Sequence, residues 1–331
     1  MKRVLIIGGG GYVGTELQRH LIENGYRVRV YDTFWYPEGQ WQKNSFLGAD
    51  SIEYVKGDVR DIKLLAESLI DVDYCIHLAC ISNDPSYELN PDLSREVNYE
   101  AFCNLLPLLN KSSLSRFIFA SSSSVYGIKS EENVIETLSC EPISDYSKYK
   151  VKCEEVLFSE ITSEIITTVV RPSTICGVSA RQRFDLVVNG LTITALTSNR
   201  IRVDGGEQFR PNLHIQDMLD CYGLLLITDG NKIDREVFNV AGENLRVIEI
   251  ADLVSDSLNS SVTIDVLPVI DARSYRVSGD KIKHSIGFIP RFTVRDAISD
   301  LSEAYSLGRF PNPDDIGFYN IRRMQELFRN N

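Results

Sequence analysis

The sequence predicts an α/β protein in which a doubly wound parallel sheet is followed by a smaller C-terminal α/β lobe. Three observations predict it. A wholly apolar first strand runs into a set of glycines that opens a helix. Strands and helices then alternate as far as about residue 171. The stretch Glu141–Glu155, EPISDYSKYKVKCEE, sets Tyr146 and Lys150 four apart, on one face of a helix.

The first strand is Val4–Ile7, apolar throughout and mostly β-branched, as in a strand buried on both faces. Gly8, Gly11 and Gly14 follow with GxxGxxG spacing, and the helical pattern through Leu17, Leu21 and Ile22 ends near Gly25. Glycine permits the tight turn and lets a diphosphate approach the helix N-terminus. The second strand, Arg27–Tyr31, ends at Asp32, 18 positions after Gly14. A carboxylate at that spacing binds the adenosine ribose hydroxyls of a dinucleotide. It would repel a 2′-phosphate, and no basic residue follows it closely, so NAD is expected rather than NADP. Strand, glycines, helix, strand and acid in this order make the first part Rossmann-like. The plain alternative is a glycine turn with an ordinary strand-end Asp.

Residues 34–50 form a long connection. Its Trp35, Tyr36, Pro37 and Trp41 either line a substrate mouth or bury against the sheet. Ser51–Val55 reads as the third strand and leads into Gly57–Asp61. Asp58 is placed to accept from an adenine amino group or to cap the helix from Asp61. Val72–Leu78 is the fourth strand, followed by Ala79. Pro91–Asn110 is helical, with Asn98 either exposed or pinning a backbone near the active centre. Arg116–Ala120, the fifth strand, feeds Ser121–Gly127, a serine-rich turn able to hold a substrate oxygen at a strand's carboxyl end. Ile165–Val170 is the next strand.

Tyr146 and Lys150 suit proton transfer. The ammonium is expected to draw the phenol down from about 10 toward working pH, and a phenolate beside a carbinol takes its proton. The alternative is a solvated helix face.

After residue 171 the pattern loosens. Helices are expected at Asp185–Thr197, Gln216–Ile227, Val247–Leu258, Ser278–Ser285 and Thr293–Ser306, with β character in Arg202–His214, Val237–Val240 and Val262–Leu267. We read residues 1–171 as the cofactor domain with the catalytic residues, and 172–331 as a smaller, interleaved substrate lobe.

The 331 residues are 43% hydrophobic and 24% charged, which suits a soluble globular protein with a large core. A net charge of −11 speaks against a nucleic-acid surface. An anionic substrate would need arginines gathered locally. Seven cysteines, an odd number without CxxC spacing, are expected to be reduced in a cytoplasmic protein. Four scattered histidines suggest no metal site. No 18-residue apolar span and no leader pattern is seen, so no membrane role is expected.

The chain resembles the extended short-chain dehydrogenase/reductase family, in its nucleotide-sugar epimerase/dehydratase branch. The resemblance rests on GGGGYVG at Gly8–Gly14, YD at Tyr31-Asp32, GDVRD at Gly57–Asp61, HLA at His77–Ala79 and Asn98. It continues through SSSSVYG at Ser121–Gly127, Tyr146-x3-Lys150, RPSTICG at Arg171–Gly177 and RFDLVVN at Arg183–Asn189. FRPNLHIQD at Phe209–Asp217, FNVAG at Phe238–Gly242 and DARSYRVSGDKI at Asp271–Ile282 complete it. The resemblance implies Tyr146 as acid/base, with Lys150 on the nicotinamide ribose and Ser122 on the reacting sugar oxygen. It implies NAD contacts at Gly8, Gly11, Tyr12, Val13, Asp32, Asp58, Val59, Leu78, Ala79 and Asn98. Substrate contacts are implied at Ser122, Ser123, Asn189, Arg210 and Arg273 or Arg276, and a homodimer through the helices at Pro91–Asn110 and Ser144–Thr162.

In the family's 4,6-dehydratases and related decarboxylases an acid stands just before Val-Tyr-Gly. In the dehydratases an Asp usually precedes that acid. Here those positions are Ser124 and Ser123, against a reaction that must expel a hydroxyl. Ile7 replaces the usual Thr before the first glycine. The expected activity is NAD-dependent 4-epimerisation of a nucleotide-diphosphate sugar through a 4-keto sugar. The alternatives are net redox at C4, and a dinucleotide sensor without catalysis.

Overall fold

The structure, a computed structural model, describes residues 1–36, 51–258, 262–268 and 273–329. Pro37, Trp41 and Asp271 lie outside the described residues. The chain begins with β1 (Arg3–Ile7), α1 (Tyr12–Glu23), β2 (Arg27–Asp32), β3 (Ile52–Lys56), α2 (Ile62–Ser68) and β4 (Tyr74–His77). Next come α3 (Asp84–Glu88), α4 (Pro91–Arg95), a π-helical turn at Glu96–Glu100, α5 (Ala101–Lys111), β5 (Arg116–Ala120) and α6 (Asp145–Glu160). Then follow β6 (Ile166–Pro172), β7 (Thr174–Cys176), α7 (Val187–Ser198), β8 (Arg200–Asp204), β9 (Phe209–His214), α8 (Ile215–Ile227), β10 (Glu236–Val240) and β11 (Glu243–Arg246). The chain closes with α9 (Val247–Ser257), β12 (Thr263–Leu267), α10 (Asp280–Ile286), α11 (Val294–Ser306) and α12 (Asn320–Arg329).

Among the described residues seven strands form one parallel sheet in the order β10-β6-β5-β4-β1-β2-β3. Alternate residues of β1 face opposite cores. Val4 and Ile6 meet Leu17 and Leu21 of α1 and Met218 and Tyr222 of α8. Leu5 and Ile7 face the core of α2, α5 and α6, with Leu65, Leu105 and Leu157. Both faces are dry, which is why the strand reads apolar without alternation. The chain winds outward from β1 in both directions, so the carboxyl ends of β1 and β4 flank a crevice at the switch point.

The rest forms the smaller lobe, with a three-stranded sheet β11-β9-β7 and a parallel pair β12-β8. Helices α7, α9 and α11 enclose its core around Val188, Ile250 and Ile298. A second apolar cluster gathers Phe184, Phe310 and Phe318, with ring centroids 5.0–6.0 Å apart.

A single boundary after residue 171 does not divide this fold. β6 runs through to Pro172, β10 returns to the large sheet beside it, and α8 packs under that sheet with α1. The sequence also left β7, β11 and α3 undetected. The two strands are only three and four residues long, and α3 is a five-residue turn.

His77 ends β4 fully enclosed by aromatic rings, with Phe102 at 5.3 Å and Phe119 at 5.9 Å. Burial, reinforced by the nearby Lys150, pushes its pKa down to about 3. Below about 6.5 the unfolded chain therefore takes up a proton that the folded state refuses. We expect stability lost as pH falls from 6.5 toward 3, by about 1.4 kcal/mol per pH unit from this residue. His77→Phe should remove that increment, read as the wild-type-minus-variant slope in urea unfolding between pH 7.5 and 4.5.

Candidate active site

The glycine turn is built from the strand outward. Gly8 has φ +87°, and a Cβ there would lie 2.4 Å from the Ala79 nitrogen. A Cβ at Gly14 would lie 2.6 Å from the Gly9 Cα. Only glycine lets β1, β4 and α1 come this close. Gln18 Nε2 donates to the Gly9 carbonyl at 2.7 Å, and the Tyr54 hydroxyl donates to Gln18 Oε1 at 3.0 Å. Gly11, at the N-cap of α1, offers no side-chain cap, so the first-turn N–H groups face outward for an anion.

Asp32 sits over this turn at the end of β2. Its two oxygens accept from Gly10 N at 2.9 Å and Phe34 N at 2.7 Å. Burial raises its carboxyl above the ordinary value despite these bonds. The Thr33 side chain bonds it as well, which leaves one of the roughly four acceptor sites of the carboxylate open. Asp58 is gripped by the Arg60 guanidinium at 2.9 and 3.0 Å. Desolvation raises its carboxyl, but the bonds to Arg60 prevail and hold it below the ordinary value. Asp61, not Asp58, caps α2, accepting from Leu64 N at 3.0 Å.

Ser122 follows the end of β5. Tyr146 and Lys150 lie in the first turns of α6, which Ser144 caps. Ser122 is hydrogen-bonded to the Tyr146 phenol and lies 2.8 Å from Ser124 Oγ, which also accepts from Ser147. Lys150 Nζ donates to the Ala120 carbonyl at 2.6 Å and sits 5.9 Å from the centre of the Tyr146 ring. The expected depression of the phenol is not found. Desolvation is the largest influence, and Cys80 and Asp84 add to it, so Tyr146 stands well above its ordinary value. Burial thus favours the protonated phenol, and Lys150 gives its short bond to a carbonyl.

Behind Tyr146 lies a buried polar cluster. Glu154 of α6 receives Arg171 Nη2 at 2.6 Å and Nε at 3.0 Å, together with a hydrogen bond from Ser121. Arg171 Nη1 reaches the Tyr126 hydroxyl at 2.8 Å, and that hydroxyl donates to Asn239.

A cavity of about 400 Å³ joins these parts. Of the sequence-derived residues, Gly8, Gly11, Tyr12, Val13, Asp32, Asp58, Val59, Leu78, Ala79, Ser122, Ser123, Tyr146, Lys150, Arg210 and Arg273 line it. Asn98, Asn189 and Arg276 are not among its lining residues. Asn98, inside the π-helical turn, holds both the N–H and the carbonyl of Ile81, at 2.7 and 3.0 Å. Asn189 is fully buried and binds Gly177 N, the Arg183 carbonyl and the Tyr12 hydroxyl. Both shape loops of the cavity wall. Arg276 lies against the Phe209 ring at 4.9 Å.

Tyr36 and Trp35 also line the cavity. Sequence reasoning missed Asp84, Arg181, Arg183 and Asn320, which line it as well. Arg183 stood inside a quoted motif. Asp84, Arg181 and Asn320 had no pattern of their own. Asp84 is ion-paired with Arg273 and takes a hydrogen bond from Ser144.

The family model described as the NAD dependent epimerase/dehydratase family matches residues 4–241. The chain belongs to that family. NAD is therefore its cofactor, and the residues fit it: the space that a Cβ at Gly8 would fill, the bare N-terminus of α1, and Asp32 at the end of β2. UDP-glucuronic acid decarboxylase 3 of Arabidopsis thaliana is 25% identical over 319 residues, covering 92% of this chain and 89% of that protein. UDP-glucose 4-epimerase of Lactobacillus helveticus is 25% identical over 278 residues, covering 76% and 82%. In fold the chain is similar to UDP-glucuronic acid 4-epimerase from Bacillus cereus, with TM-score 0.82 at 24% identity over 92% of this chain and 99% of that one. Relatives of comparable likeness thus carry out different reactions. Among the described residues no helix is long and apolar enough to cross a membrane.

Removing one partner of a buried ion pair strands the other. Glu154→Ala should cost about 3–5 kcal/mol in denaturant unfolding, more than Glu154→Gln, which keeps acceptors for Ser121 and Arg171.

Proposed function

We propose that the protein is an NAD-dependent nucleotide-sugar 4-epimerase. The observation that carries this reading is the absence, among the described residues, of a free carboxylate beside Tyr146. Ser123 and Ser124 occupy the places where a dehydratase or decarboxylase of the family has its acid, and Ser124 is tied to Ser122 and Ser147. Asp84, whose charge reaches Tyr146, is committed to Arg273 and Ser144. The site therefore holds one acid/base, Tyr146, suited to moving a single proton to and from a hydroxyl.

When bound, NAD supplies reversible hydride acceptance at the carbinol carbon. The side chains do the rest. Ser122 holds the C4 oxygen, and Tyr146 takes its proton and later gives it back. Lys150, fixed by the Ala120 carbonyl, keeps a cation beside the phenol. Arg210 and Arg273 supply donors for the substrate's diphosphate. The 4-keto sugar must turn in the pocket before reduction on its other face. A homodimer belongs to the proposal: half-buried Tyr99 and Tyr149, 5.3 Å apart next to α5 and on α6, would be covered by a second copy.

The test is mass spectrometry of small molecules released on denaturation, then incubation with a panel of nucleotide sugars. Co-purified NAD and an isomerised sugar of unchanged mass are expected. Loss of two hydrogens with accumulating NADH would replace the epimerase with a C4 dehydrogenase, and loss of water or carbon dioxide would overturn both. Tyr146→Phe should lower kcat roughly 10²- to 10⁴-fold, with bound NAD retained. Because burial raises this phenol, wild-type kcat/KM should climb with pH above neutrality.

A further inference from the structure

The connection between β7 and α7 is laid along the first turn of α1. The Tyr12 hydroxyl donates to the Gly177 carbonyl at 2.7 Å, Ser179 Oγ donates to the Tyr12 carbonyl at 2.7 Å, and Ala180 N donates to Glu16 at 2.6 Å. Thr15 Oγ1 lies 3.0 Å from Ser179 Oγ. This docking brings Arg181, a residue of the second lobe, into the cavity wall beside the glycine turn.

Arg181 is held unlike the other arginines there. Its side chain is buried, 3% exposed, and lies on the Tyr36 ring at 3.5 Å. Nη2 donates to Asn320 Oδ1 at 2.5 Å. Nε has no hydrogen-bond partner among the described residues. Arg183 is bidentate with Asp185, and Arg273 pairs with Asp84. Among the described residues Arg181 pairs with no carboxylate at salt-bridge distance. A buried guanidinium with an empty donor is costly unless an anion completes it. The cost is visible: desolvation, with Arg183 adding repulsion, pushes its pKa down to about 10.

We propose that Arg181 binds a diphosphate lying over the glycine turn, and that this diphosphate is the dinucleotide's. The uncapped N-terminus of α1 and the carboxylate of Asp32 share that part of the wall, and an adenosine ribose with its phosphates fits between them. A sugar nucleotide is the other source of a diphosphate, but Arg210 and Arg273 lie against each other and Asp84, whereas Arg181 is joined to Tyr36 and Asn320. The second lobe thus supplies a cofactor ligand, and the cofactor helps to bind the lobes together. The proposal rests on NAD binding, a property of the family, and not on the reaction at C4.

The experiment is calorimetric titration of the full chain with NAD, ADP-ribose, adenosine and UDP, in wild type, Arg181→Met and Arg181→Lys. Arg181→Met should weaken NAD and ADP-ribose roughly ten- to a hundredfold and leave adenosine and UDP within about twofold. Arg181→Lys should recover part of the loss. Without nucleotide, Arg181→Met should melt at the wild-type temperature or higher, because an unpaired buried charge is gone. Unchanged NAD affinity, an equal loss for adenosine, or a loss for UDP in place of NAD would overturn the proposal. So would a lowered melting temperature without nucleotide, which would mark Arg181 as a structural residue.

Discussion

The buried ion pair between Glu154 and Arg171 sets the position of everything that reacts. Two charges taken out of water are costly on their own, and the pair is tolerable only because its remaining donors and acceptors are met by Ser121 and Tyr126. Those conditions are strict in distance and angle. Helix α6 therefore meets the carboxyl ends of β5 and β6 in one register. Glu154 stands one turn beyond Lys150 and two beyond Tyr146, so the same register delivers both to the cavity, and it anchors Ser121 beside Ser122.

The electrostatics of the cavity follow from how each cation is occupied. Lys150 is held by a carbonyl, Arg183 by Asp185, Arg273 by Asp84, and Arg181 by no carboxylate among the described residues. An acidic protein of net charge −11 can thus present positive groups to phosphates at one place. The price is a desolvated site, and the desolvation raises Tyr146 along with other buried phenols such as Tyr12 and Tyr222. Burial holds the Tyr146 phenol in its acid form, so the state that accepts a proton depends on what else occupies the cavity.

The parts legible in the sequence are those written in local spacing. The glycines at 8, 11 and 14, Asp32 at the end of a strand, and Tyr146 with Lys150 four residues on are local signals, and all line one cavity. Asn98 pins the backbone of Ile81, one of the two readings its position allowed, whereas Asn189 was legible as a position but not as a contact, since it spends its amide on a loop of the wall. Arg276 was indistinguishable from Arg273 in sequence. Packing separated them by laying one on Phe209 and the other against Asp84.

By itself the sequence determined the parallel sheet, the dinucleotide turn and the pairing of Tyr146 with Lys150 on one helix, because each depends on residues near one another in the chain. Tertiary structure alone decided three further matters. It returned α8 and β10 to the first sheet across the boundary that the loosening of the strand–helix pattern suggested, because their apolar faces fit that core. It raised the tyrosine that sequence logic would have lowered, because desolvation is a property of the whole enclosure. It also brought Arg181 to Asn320, 139 residues away, at the edge of a turn made by the first strand, where the charge of a distant segment has meaning only once the chain has closed around it.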